Sequence, residues 1–139
     1  MKVGLDTSVV LRLLTGEPEL QARRALAELD ALAHSGAVPL VSDLVVSEVY
    51  FALQYHYGVP KGEALALLAR FLGESGVKPL GASGAVLAVP DLATANPGFV
   101  DRLIHAEYAR STGEVLTFER AAGRFPGVRV LTAAKDLTV

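Results

Sequence analysis

Apolar and polar positions along the chain switch repeatedly between a short extended pattern and a helical one. Val3 to Leu5 is a brief apolar run that predicts a strand over 2–5. It ends on Asp6, Thr7 and Ser8, whose side-chain oxygens suit the first turn of a short helix. Pro18 then opens PELQARRALAELDALAHSG, where Leu20, Leu26, Leu29 and Leu32 recur near helical spacing and Gly36 supplies a stop, predicting an amphipathic helix. VPLVS reads as a short strand. DLVVSEVYFALQYHYG is apolar nearly all round and closes on Gly58, which predicts a helix buried on most sides.

The same alternation continues to the end. KGEALALLARFLGESG, after Pro60, is a helix; VKPL is a short strand; GAVLAVPDLATA is a helix interrupted by Pro90. PGFVDRLIHAEYARSTG predicts a helix from near Pro97 to Gly113, followed by a strand EVLTF, a short helix ERAAGRF and a last strand VRVL. Strands alternating with helices predict an α/β fold with a parallel sheet covered on both faces. With no repeat, linker or low-complexity tract, the expected organisation is one domain over 1–133 and a peripheral tail over 134–139.

Composition narrows the chemistry. At 139 residues and 51% hydrophobic, the chain can build a packed core within one domain. The absence of cysteine excludes disulfides, thiol catalysis and thiolate metal ligands, so a metal would need oxygen or imidazole donors. It also fits a reducing compartment, and with no export signal or membrane-spanning run in view the expected compartment is the cytoplasm. A net charge of −2 provides no global basic field for nucleic acid. Local arginines would have to serve, among them Arg23, Arg24, Arg102, Arg110, Arg120, Arg124 and Arg129, although scattered arginines ordinarily mark solvated helix faces.

Four carboxylates stand out. Asp6 follows the first strand, and in an open parallel sheet ligands bind beyond the carboxyl ends of the strands; capping the next helix is its simpler role. Glu48 has apolar neighbours Leu44, Val45, Phe51 and Ala52 at helical spacing, which predicts burial and hence a metal, a proton or an arginine partner. Asp101 lies in the first turn of its helix, where the dipole favours an anion. Glu119 repeats the placement of Asp6, at a strand end before a helix start. Convergence of like charges a few ångströms apart costs about 4 kcal/mol per pair even at an effective dielectric near 20, so it calls for a neutralising cation. Magnesium suits oxygen donors and is held by one or two carboxylates directly. Thr7, Ser8 and Thr117 are placed to aim those carboxylates by donating hydrogen bonds. His34, His56 and His105 read as ordinary surface or core histidines, and Tyr50, Phe51, Tyr55 and Tyr57 as core packing rather than base stacking.

VGLDTSVVLRLL, SEVYFAL and FVDRLIHAEYARSTGEVLTFERAAGRFPGVRVL together resemble the PIN domain, and specifically the VapC-type toxins of toxin–antitoxin pairs. The resemblance covers essentially the whole chain. It implies a three-layer α/β fold with a central parallel sheet flanked by helices. Asp6, Glu48 and Asp101 match the first three family acids, and Glu119 the fourth, which is commonly an aspartate. Thr7 or Ser8, and Thr117, match the hydroxyl positions. The implied activity is a magnesium- or manganese-dependent endoribonuclease that cleaves RNA by water attack, with those four acids as catalytic and metal-binding residues. The implied partners are an RNA substrate, a protein antitoxin and a second copy in a homodimer. The helices LQARRALAELDALA and KGEALALLARFLG could wall an antitoxin groove, although core packing is the simpler use of their leucines.

Other readings weigh less. An aspartyl-phosphate hydrolase wants a second acid two residues after the first, where Ser8 stands. There is no Walker A or GxGxxG phosphate cradle. A PIN-like module that binds RNA or protein without cleaving is the alternative from another class, kept open by Glu119; a DNA-directed nuclease is a third.

Overall fold

A computed structural model describes residues 1–133; the tail expected over 134–139 lies outside the described residues. The chain forms two compact units, Met1–Pro90 and a second beginning at Asp91.

The first unit runs β1 (Lys2–Gly4), α1 (Thr7–Thr15), α2 (Glu19–Ser35), β2 (Val38–Val41), α3 (Asp43–Tyr55), α4 (Lys61–Glu74), β3 (Lys78–Pro79) and α5 (Ser83–Leu87). Its strands form a parallel sheet in the order β1-β2-β3, with Val3 opposite Pro39 and Leu40 opposite Lys78. Parallel neighbours need a crossover, and a helix pair supplies each one. The crossovers are punctuated by caps: α1 stops at Gly16, whose φ of 72° is the left-handed conformation that ends a helix cheaply only at glycine. Val10, Val41, Val46, Val49, Leu53, Leu68 and Val77 are almost fully buried in this unit. Burying an aliphatic side chain of this kind is worth about 1.5–3 kcal/mol relative to leaving it in water.

Two helices depart from expectation. α3 is not buried on most sides: Val46, Val49, Tyr50 and Leu53 point inward, whereas Leu44 is 75% exposed and Phe51 and Tyr55 also face solvent. An all-apolar run does not say which of its faces is covered. α2 packs on α1 and β2, yet none of its residues is fully buried, and Leu20 and Leu26 lie in the open. GAVLAVPDLATA divides where Pro90 predicted. α5 ends at Leu87, and a separate 3₁₀ turn, Leu92–Thr94, opens the second unit.

The second unit continues with α6 (Phe99–Ala109), β4 (Val115–Thr117), a 3₁₀ turn (Arg120–Arg124) and β5 (Val128–Val130). β4 and β5 pair in parallel, Val115 opposite Val128 and Thr117 opposite Val130. α6 packs on β4, and the 3₁₀ turn on β5. Phe99, Leu103 and Ala122 are its buried apolar side chains, with Leu92 from the opening turn. The five strands thus form sheets of three and two rather than one continuous ladder. The fold is mixed α/β with parallel strands, as the alternation predicted. Among the described residues no helix is long and apolar enough to cross a membrane.

Candidate metal centre

Because β1 and β2 are adjacent and parallel, α1 and α3 both start at the same end of the sheet. Leu5 N–H bonds to Leu40 O at 2.9 Å, carrying the pairing to the last residue before Asp6. Asp6 is extended (φ −92°, ψ 176°) and caps α1, and its Oδ1 accepts from Ser8 N at 2.9 Å and from Ser8 Oγ at 2.6 Å. These donors, the hydroxyl first and the amide second, hold the Asp6 carboxyl below its ordinary range against a small opposing effect of desolvation. Asp6 is therefore both a helix cap and an ionised carboxylate exposed at the carboxyl end of β1.

α1 packs against α3, which places Thr7 beside Glu48. Thr7 Oγ1 donates to Glu48 Oε1 at 2.9 Å, across 41 residues of sequence. Glu48 is exposed, contrary to the burial expected from its apolar neighbours, and it forms no ion pair among the described residues. The neighbours misled because Leu44 and Phe51 share its outward face. Thr7 and Ser8 act as expected, one aiming Glu48 and the other Asp6. Each bonded carboxylate keeps a second oxygen to offer a ligand.

In the second unit Asp101 stands exposed in the first turn of α6, and Glu119 stands exposed just after β4. Thr117 does not donate to a carboxylate. Its Oγ1 instead accepts from Glu119 N at 3.0 Å, so it fixes the backbone of the turn that carries Glu119. Each unit holds two of the four acids. Among the described residues no three His, Asp or Glu side chains form a metal-ligating group.

The remaining candidates fall into structural roles. Arg23 and Arg24 pair with Glu19 and Glu28 along the exposed face of α2, and Arg129 pairs with Glu114. Arg102 bonds to Pro97 O at 2.7 Å and lies over the Phe125 ring, against whose other contact, His105, the ring packs edge-on. His105 Nδ1 is buried with no hydrogen-bond partner; His34 Nδ1 sits 2.8 Å from Asp30 O. Of the four aromatics expected in the core, only Tyr50 is buried.

One residue escaped the sequence reading. Asp43 accepts from Ala82 N at 2.9 Å and Ser83 N at 3.0 Å, tying the start of α3 to the start of α5. Its partners are backbone amides 39 and 40 residues away, which carry no side-chain signature.

The PIN domain family matches residues 3–128. The chain belongs to the PIN domain family. No curated protein gives a significant match to it. PIN domains are in general metal-dependent nucleases, so a hydrolase of phosphodiester bonds is the kind of enzyme this fold builds. The residues at the mouth of β1 suit a hard divalent cation: the donors are carboxylate oxygens, exposed and pre-aimed by hydroxyls, and such ions take one or two carboxylates with water completing the shell.

Proposed function

We propose that this PIN domain is a magnesium- or manganese-dependent endoribonuclease and the toxin of a toxin–antitoxin pair of the VapC type. The bond from Thr7 to Glu48 is the observation that carries the reading, because it ties the Asp6-Thr7-Ser8 turn to the second acid at the ligand-binding end of the sheet. Asp6 and Glu48 would hold the metal, with Asp101 and Glu119 contributing from the second unit. When bound, the ion supplies charge stabilisation for the phosphate and a lowered pKa for coordinated water. Ser8 keeps Asp6 ionised, Thr7 fixes the orientation of Glu48, and Thr117 fixes the turn that presents Glu119. With a net charge of −2, the chain depends on such an ion to bring an anionic substrate to an acidic site.

The proposed partners are a protein antitoxin and a second copy of the chain. A cavity of about 460 Å³ lined by β1, α1 and α2 residues, including Val3, Val9, Leu32, Arg12 and Arg24, supports a groove on the α2 side of the first unit. The cysteine-free composition supports action in the cytoplasm.

Incubating the purified protein with total RNA and Mn²⁺, then mapping new ends by sequencing, tests the activity. Discrete cuts that vanish in Asp6→Asn and Glu48→Gln are expected. RNA that is bound but left intact under every metal condition would favour the non-catalytic module instead.

A further inference from the structure

Three aromatic side chains on α3 form a ladder from the core to solvent. Tyr50 is 6% exposed, Phe51 43% and Tyr55 79%. The Tyr50 and Phe51 ring centroids lie 5.3 Å apart at 56°, and those of Phe51 and Tyr55 6.2 Å apart at 24°, a stacked pair. Residues 48, 51 and 55 share one face of the helix, so the stacked pair begins one turn from Glu48. Tyr55 is too exposed to be covering the core. A surface ring gains nothing from that position in isolation, and here it is held by a second ring that is itself anchored by a third.

We infer that Phe51 and Tyr55 are a base-stacking platform that positions a single-stranded RNA beside Glu48. The inference rests on the nuclease reading for its substrate but on a different observation. Aromatic rings bind unpaired bases through their π-faces with little regard to sequence, and a platform already stacked loses little rotamer freedom when a base arrives. α3 carries no Lys or Arg, so this face offers stacking without a phosphate countercharge. Its share of the binding is therefore insensitive to salt, unlike contacts that release counterions. Phe51 and Tyr55 are positioning residues here, since neither reaches the reacting phosphate.

The test measures binding of a fluorescent oligoadenylate eight nucleotides long, and of an abasic ribose-phosphate strand of the same length, to the full chain and to Phe51→Leu, Tyr55→Ser and Tyr55→Phe. Mn²⁺ affinity and solution mass are recorded for each protein. Phe51→Leu and Tyr55→Ser should each weaken oligoadenylate binding roughly five- to one-hundredfold, the range for loss of one stacked base. Tyr55→Phe should bind as the parent does. Abasic-strand binding, Mn²⁺ affinity and solution mass should stay constant across the set. Equal losses on both strands, no loss on either, or a change of solution mass without a selective loss of oligoadenylate binding would overturn the platform; the last would make the face a contact between copies. Loss of the platform effect with Mn²⁺ binding intact would leave the metal reading standing. Selective oligoadenylate loss in a protein that binds no Mn²⁺ would support the platform while removing the nuclease.

Discussion

Asp6 does two jobs with one carboxylate, and Ser8 makes them compatible by donating both its hydroxyl and its amide to Oδ1. A carboxyl held below its ordinary value of 3.8 contributes stability that is fully present above that value and is lost as pH falls through the folded-state value. Ser8→Ala removes the larger of the two donors, so the Asp6 titration followed by carboxyl-carbon NMR should move upward; an unmoved titration would contradict the assignment. Thr7→Val is expected to separate structure from function. Losing one exposed hydrogen bond should cost about 0.5 kcal/mol or less in chemical denaturation, whereas Mn²⁺ affinity should fall roughly tenfold because Glu48 is no longer aimed. The four acids were visible in the sequence from their positions at strand ends and helix starts. Their exposure was not, since the neighbours of Glu48 reveal which residues are apolar and not which face of α3 is covered.

At the scale of elements, α3 is held at its amino end by Asp43 and along its length by Val46, Val49 and Leu53. Asp43→Ala leaves the amides of Ala82 and Ser83 without their acceptor and should cost about 1–3 kcal/mol in denaturant unfolding. Gly81 approaches the same carboxylate so closely that a Cβ there would strike the Asp43 side chain. That side chain cannot yield without releasing its two amides, so Gly81→Ala should cost a similar amount, and the double variant should fall well short of the sum. Strict additivity would show that the two substitutions act independently. Leu53→Ala, at a site 1% exposed, should cost about 2–5 kcal/mol. Most of the elements were legible: the caps at Asp6, Gly36 and Pro90 stand where local chemistry put them. Pairing was less so, because short apolar runs such as VKPL and VRVL do not encode which strand they join. The Asp43 latch was invisible, since backbone amides have no sequence signature.

At the scale of the molecule, the chain is a PIN domain whose acids are divided between two compact units, with Asp6 and Glu48 in one and Asp101 and Glu119 in the other. Its slight negative charge and its exposed acids make a cation the bridge to an anionic substrate. That bridge precedes any question of which RNA is cut or which partner restrains the enzyme. Calorimetric titration of the purified protein with Mn²⁺, alongside Asp6→Asn, tests it directly. Saturable binding by the parent chain that is abolished in Asp6→Asn is the predicted result. No saturable binding by either protein, or binding that Asp6→Asn leaves unchanged, would contradict a metal centre at the mouth of β1.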